Sequence, residues 1–275
     1  MIFLLASLLS ASRQELHDHS KEECKKVLDE FHAACRNSSE ATRIAALNAL
    51  SKHLCSVSIS AIGNLLGSDA DAVRLAAAKA LGTMDHPKSL EVLSAAVSTS
   101  EANYPVLDAV VKALQVLDWE AGAEALNGLL SRFHEKGFLD PLHVIIPALG
   151  KLGSGGSVDP LITLLEHAEN EGKASRTGKV RTGGNPKLAA LEAPIKSALQ
   201  QITGGSEPNY QKWKEWWRAN RGDLQDKATL VYRCKSTGKR YTRKAGESDT
   251  CPNHEKPEKD GQLVKTLLHS SNTKP

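Results

Sequence analysis

One short pattern recurs along this chain and limits what it can fold into. An apolar stretch closes with an Ala-Leu pair at five places, which are Ala49-Leu50, Ala80-Leu81, Ala113-Leu114, Ala148-Leu149 and Ala198-Leu199. The first four pairs lie 31, 33 and 35 residues apart, and the last interval is 50 residues. A period of this length is typical of helical hairpins that stack side by side, each covering the apolar face of the next. The sequence therefore predicts an all-α solenoid of about five helical hairpins.

The composition agrees with closely packed helices. Aromatic residues make up only 4% of the 275 residues, and Ala and Leu supply most of the apolar content, which suits helices whose backbones approach closely. The formal net charge of +3 gives no general argument for a nucleic-acid partner. The Lys and Arg residues are concentrated in two segments instead. Residues 172–187 contain five of them and no acidic residue, and residues 227–244 contain seven and no acidic residue.

The first residues predict a secretory signal. Met1 to Ser10 is an apolar run that is too short to span a bilayer, and the small residues Ser10 and Ser12 suit cleavage by a signal peptidase. We expect residues 1–12 to be removed and the protein to be exported to the periplasm or cell surface. The alternative is a cytoplasmic protein in which this run starts a helix packed on the end of the repeats.

The clearest repeat unit runs from Ser68 to Gly82. Asp69 or Asp71 is expected to cap a helix, and Gly82 is expected to end it. Its apolar stripe comprises Val73, Ala76, Ala77, Ala80 and Leu81. With its Asp, Val-Arg and Ala-Leu-Gly positions, the unit resembles the second helix of a HEAT repeat. The resemblance covers roughly residues 41–203 and implies an α-solenoid, a fold that serves many roles.

A basic insertion interrupts the repeats, which we place at residues 14–203. Residues 169–186 are rich in Gly, Lys, Arg and Thr and have almost no apolar content. Such a composition favours a mobile loop on one face of the stack. Its cations Arg176, Lys179 and Arg181 are candidate contacts for a partner, and the alternative is a solvated loop without a binding role.

A Trp-rich helix is predicted after the last repeat, at residues 208–222. Trp213, Trp216 and Trp217 lie at positions i, i+3 and i+4 and therefore share one helix face. A Trp-x-x-Trp-Trp helix in this place is similar to that of exported bacterial HEAT-repeat proteins. The indoles either cover the open apolar end of the solenoid or stay partly exposed as a docking patch.

A change of period marks a small basic domain at residues 226–256. Two β-rich runs flank a turn at Gly238, which predicts a β-hairpin, and we expect residues 257–275 to be loose. Arg240 and Arg243 are candidate contacts for an anionic partner, and the alternative is that they keep the strand edges solvated.

The tail also holds a metal-like set of residues. Cys234 opens an imperfect knuckle in which Thr237 stands at the second Cys position, and Cys251 and His254 form a Cys-x-x-His knuckle. Together they resemble a small zinc ribbon, but structural zinc takes four ligands and only three are present. We therefore predict no cofactor and keep zinc as an alternative. A Cys234–Cys251 disulfide would instead close a loop of about 18 residues, worth roughly 3 kcal/mol.

The cysteines near the N-terminus suggest a second disulfide. If residues 14–36 and 42–54 form an antiparallel helical hairpin, Cys24 and Cys55 fall near the same level. In an exported protein we expect a Cys24–Cys55 disulfide, with Cys35 left as a free thiol. The alternative is three ordinary buried cysteines.

No residue pattern in the chain specifies a reaction. Gly-x-Ser-x-Gly, P-loop and His-Glu-x-x-His motifs are all missing, so we predict a non-enzymatic module that binds or scaffolds another protein. Candidate contacts on the helices are Arg74, Lys79, Asp108 and Lys112, and no membrane-spanning helix is predicted. Two alternatives stay open, which are a polyanion or nucleic-acid binder using the basic loop and tail, and a HEAT-like lyase or enzyme subunit. The partner's identity and the oligomeric state stay open as well.

Overall fold

The computed structural model describes part of the chain. The described residues are 21–36, 39–101, 103–117, 120–177, 185–227, 229–234, 240–244 and 263–269. The predicted signal peptide (1–12) lies outside them, so the predicted export stays a prediction. The chain divides into two compact units, Met1–Leu117 and Asp118–Pro275.

The helices of the first unit alternate between two layers. One layer contains α1 (Lys21–Cys35), α3 (Ser56–Ser68) and α5 (Pro87–Thr99). The other layer contains α2 (Glu40–Leu50), α4 (Asp71–Thr83) and α6 (Tyr104–Leu117). Across the layers, α1 packs on α2, α3 on α4, and α5 on both α4 and α6, and each helix also packs on the next member of its own layer. Leu47, Ile62, Leu81, Leu93 and Leu114 are fully buried between the layers.

Polar side chains just before α2 and α6 cap the N-termini of these helices. Ser39 Oγ accepts a hydrogen bond from the Thr42 backbone N–H at the start of α2. Asn103 Oδ1 accepts one from the Val106 N–H at the start of α6. Each bond satisfies a backbone donor that has no partner within its helix. These polar residues therefore set the helix starts from the local sequence.

The second unit is built from helix pairs of the same kind. Its longer helices are α7 (Glu120–Lys136), α8 (Leu142–Leu152), α9 (Val158–Thr177), α11 (Glu192–Thr203) and α12 (Tyr210–Lys227). A 3-10 turn (Gly155–Ser157) precedes α9, and one helical turn, α10 (Pro186–Ala189), precedes α11. Helix α9 packs against α7 and α12, while α8 packs against α7 and α11. The predicted all-α repeat fold is confirmed by these two sets of helices.

Three short strands follow the helices. Strand β1 (Thr229–Cys234) pairs antiparallel with β2 (Arg240–Lys244) on one side and with β3 (Leu263–His269) on the other. Strand β3 falls within the stretch for which the sequence indicated loose chain. The zinc-ribbon character of this appendage stays a prediction.

Close helix contact explains the recurring Ala-Leu pattern. A Cβ added at Gly82 of α4 would lie 2.9 Å from both Cα and Cβ of Ala113 in α6. In the second unit, a Cβ added at Gly150 of α8 would lie 3.0 Å from Cα of Ala198 in α11. The glycine that follows one Ala-Leu pair thus packs on the alanine of the next pair. Gly82 therefore lies inside α4 as a packing residue and does not end the helix, contrary to expectation.

We expect Gly82→Ala to destabilise the protein by about 1–3 kcal/mol, because its methyl group has no room against Ala113. Gly67→Ala is the matched control, since nothing lies within 4 Å of a Cβ added at this glycine in α3. The control should be stabilising by roughly 0.5–1 kcal/mol, owing to the better helix propensity of Ala. Urea denaturation followed by circular dichroism measures both, and equal effects would contradict the close-packing argument.

Candidate functional site

The residue before each Ala-Leu pair is exposed. These residues are Asn48, Lys79, Lys112, Pro147 and Ser197. The Leu of each pair is buried, so the helical period turns the residue two positions earlier outward. In the first unit, the exposed residue at this position is Lys79 in α4 and Lys112 in α6.

Outward-facing side chains on these two helices form one surface. Lys79 of α4 follows Leu75 by four residues, and Asp108, Lys112 and Val116 of α6 are also four apart, so each helix presents a single stripe. The contact between Gly82 and Ala113 brings the two stripes side by side. We call Leu75, Lys79, Asp108, Lys112 and Val116 the α4–α6 surface.

The α4–α6 surface is cationic with apolar patches. Lys112 Nζ lies 2.7 Å from Asp108 Oδ2, but Lys112 is 68% exposed, so the pair contributes little stability. Within the residues that the structure describes, Lys79 has no ion pair. Leu75 and Val116 are 36% and 64% exposed. The surface therefore offers an uncompensated positive charge beside apolar area that gains from being covered.

Arg43 and Asp69 hold the start of α4 beside α2. Arg43 Nε and Nη2 donate to the two carboxylate oxygens of Asp69 at 3.0 and 2.8 Å, and the Ala70 N–H donates to Asp69 as well. Burial raises the pKa of Asp69, but these hydrogen bonds and the charge of Arg43 outweigh it and lower the pKa below its ordinary value. Asp69 therefore joins two repeats, and neither Asp69 nor Asp71 is the helix cap, because that position is Ala70.

Arg74 belongs to a second group at the helix starts. Its Nε donates to the Leu66 carbonyl at 3.0 Å, and its Nη1 lies 3.3 Å from Asp71 Oδ1. Asn103 Nδ2 donates to the same Asp71 oxygen at 2.7 Å. The Arg74 side chain is only 15% exposed. It stabilises the unit, and its predicted contact with a partner stays a prediction.

The indoles of α12 pack inside the second unit. Trp213 and Trp217 are 1% and 8% exposed, and Trp216 is half-buried. Trp213 and Trp216 make an edge contact with ring centroids 5.8 Å apart. Trp216 therefore has the larger exposed area of the three, and a docking role for the cluster stays a prediction.

A buried carboxylate anchors the start of α12. Glu169 of α9 is 6% exposed and accepts a hydrogen bond from the Tyr210 N–H at 3.1 Å. Its Oε1 also lies 3.4 Å from Lys196 Nζ, which donates to Glu192 and to the Pro208 carbonyl. Burial lowers the pKa of Lys196, but its bond to Glu192 and the charges of Glu192 and Glu169 outweigh it and raise the pKa. Helix α12 is thus held by charge as well as by indole packing.

The remaining predicted site residues are placed as follows. Arg176 lies in α9, Cys234 ends β1, and Arg240 and Arg243 lie in β2, while Lys179, Arg181, Cys251 and His254 lie outside the described residues. Their binding and metal roles stay predictions. Cys24, Cys35 and Cys55 are free thiols in the structure.

Two absences among the described residues bear on possible sites. Among those residues, no group of three or more His, Cys, Asp or Glu side chains is placed to hold a metal ion. None of the described helices combines the length and apolar character needed to cross a membrane.

Residues 59–138 match the family model for HEAT repeats. The matched segment includes α4 and α6 and therefore the whole α4–α6 surface. This segment of the chain therefore consists of HEAT repeats. The resemblance seen in the Ser68–Gly82 unit is thereby confirmed. No curated protein matches the chain.

Sequence reasoning found the two lysines of this HEAT-repeat surface but missed the apolar residues beside them. Leu75 precedes Lys79 by four residues, and Val116 follows Lys112 by four. That spacing places each pair on one helix face. The signal was present, but exposure of an apolar residue cannot be read from spacing alone.

We expect Asp69→Asn to destabilise the protein by about 1–3 kcal/mol at pH 7, because Arg43 loses its charged partner. The folded-state pKa of Asp69 is lowered. Its stabilisation is therefore present above the unfolded pKa of about 4 and is lost as the pH falls through the folded value. The difference between wild type and variant should accordingly shrink below about pH 4. Asp108→Asn is the control in urea titrations, and a pH-independent difference would refute the charge argument.

We expect Glu169→Ala to destabilise the second unit by about 2–4 kcal/mol, because it leaves Lys196 and the Tyr210 N–H without their buried acceptor. Glu215→Ala is the control, since Glu215 forms an exposed pair with Lys212. Denaturation followed by tryptophan fluorescence reports on α12. A Glu169→Ala curve that coincides with the control would show that indole packing alone holds the helix.

Proposed function

We propose that this HEAT-repeat protein is a non-enzymatic scaffold that binds an acidic, partly apolar segment of another protein on its α4–α6 surface. HEAT repeats are generally protein-interaction modules. The observation that carries the proposal is the pairing of unneutralised positive charge at Lys79 with exposed apolar area at Leu75 and Val116.

Charge favours an acidic partner of limited charge density. Lys79 is unpaired within the described residues and Lys112 is largely exposed, so carboxylates can approach both. Asp108 lies in the same surface and would repel a chain of closely spaced phosphates. A peptide segment with a few acids and some apolar side chains fits this mixture better than a nucleic acid does.

Packing between α4 and α6 fixes the geometry of the α4–α6 surface before a partner binds. Helices α4 and α6 touch through Gly82 and Ala113, so the spacing between the two stripes is set before a partner arrives. A partner then loses little free energy to ordering of the scaffold. The inner faces of α4 and α6 are also packed, because Val73 of α4 and Val110 of α6 are 0% exposed.

The test uses a random peptide library displayed on phage and selected on the immobilised full chain. We expect the enriched peptides to combine Asp or Glu with apolar residues and to bind more weakly as salt rises. The double variant Lys79→Glu and Lys112→Glu should weaken their Kd by about tenfold or more.

Lys26→Glu is the matched control, because Lys26 is an exposed lysine on α1 of the same unit. It should leave the Kd unchanged. Enrichment of peptides without acids, or equal Kd values for wild type and double variant, would overturn the proposal.

A further inference from the structure

Two thiols from different helices meet in the first unit. Cys24 lies on α1, and Cys55 is the residue directly before α3. Helices α1 and α3 pack against each other, and the Cys24 thiol forms a hydrogen bond with the Cys55 thiol. Both are reduced in the structure. The third thiol of this unit, Cys35, lies at the other end of α1.

We propose that Cys24 and Cys55 form an intramolecular disulfide site, which is oxidised by exchange with a small-molecule disulfide such as oxidised glutathione. A cross-link needs the two side chains to approach across a helix contact. The thiol–thiol hydrogen bond already provides that approach. The proposal is independent of the proposed binding function, since neither cysteine lies on the α4–α6 surface.

The surroundings of the two thiols set the order of reaction. Cys24 is buried, and burial with its contacts to Cys55 and Glu23 raises its pKa to about 11. Cys55 is half-buried, so an oxidant in solution reaches it more readily than it reaches Cys24. Cys55 is therefore the thiol that meets the oxidant first.

The exchange balances in two steps. The Cys55 thiolate attacks one sulfur of oxidised glutathione, whose S–S bond breaks and releases one glutathione thiolate. The Cys24 thiolate then attacks the Cys55 sulfur of the mixed disulfide, forms the protein disulfide and releases the second glutathione. The two protein thiols lose two electrons and two protons, and the oxidant leaves as two reduced glutathione molecules.

The cross-link would act on the first described helix of the unit. Among the described helices, the main contacts of α1 are with α2 and α3. A bond from Cys24 to Cys55 closes a loop of about 32 residues and restricts the unfolded chain. We expect oxidation to raise the Tm by about 10 °C.

The experiment equilibrates the full chain in glutathione buffers of increasing oxidised fraction, traps free thiols and maps linked peptides by mass spectrometry. We expect a Cys24–Cys55 linked peptide that is retained in Cys35→Ser and lost in Cys24→Ser and Cys55→Ser. Cys24→Ser should instead gain the mass of one glutathione on Cys55, while Cys55→Ser should leave Cys24 unmodified. Peptide mapping separates this bond from any bond between Cys234 and Cys251.

Two results would overturn the proposal. One is a chain whose Cys24 and Cys55 stay fully trappable in the most oxidising buffer. The other is a linked peptide that joins Cys35 to either partner in place of the Cys24–Cys55 bond. A Tm that rises equally in wild type and in Cys55→Ser would also refute the stabilising role, because the gain would come from elsewhere.

Discussion

The backbone contact between consecutive repeats is the constraint on which the other features depend. Gly82 touches Ala113 in the first unit, and Gly150 touches Ala198 in the second, with no room for one more methyl group at either place. Such contacts require small residues at two positions about one repeat apart. The glycine after one Ala-Leu pair and the alanine of the next pair supply them, while the Leu of each pair is buried in the core.

The candidate surface is a consequence of that contact. When α4 and α6 pack through Gly82 and Ala113, their outward stripes lie side by side, and Lys79 and Lys112 repeat at equivalent positions. A surface built from helices of one layer can vary its outward residues without changing the core. This independence is the physical reason why a repeat fold serves many partners and why the fold alone does not identify one.

Largely buried carboxylates fix the starts of two helices, α4 and α12. In the first unit, Asp69 forms an ion pair with Arg43. In the second unit, Glu169 pairs with Lys196 and accepts a hydrogen bond from the Tyr210 N–H. In both places a largely buried carboxylate joins elements that are distant in sequence. Because both carboxylates are largely buried, these pairs contribute more than exposed pairs such as Lys112 with Asp108.

Some features were predictable from the chain alone and others were not. The helical repeats follow from the apolar period, and the inward position of the Leu in each Ala-Leu pair follows from the helical turn. The local cap at Ser39 depends on residues three positions away. In contrast, Asp69 resembled a helix cap but pairs with Arg43, and Gly82 resembled a helix end but is a packing residue. The local sequence is compatible with either role, a helix cap or end on the one hand and a contact between helices on the other. Only the packing of another helix against the residue decides which role it takes.

The sequence by itself thus determined the helices, their inward faces and the resemblance to HEAT repeats, because these depend on spacing within one or two turns and on a regular period. The tertiary structure alone decided which stripes lie together as the α4–α6 surface and which indoles of α12 are buried. Those outcomes depend on the register between helices that are tens of residues apart in the chain. The energies that set this register arise from packing across an interface, and no local pattern encodes them.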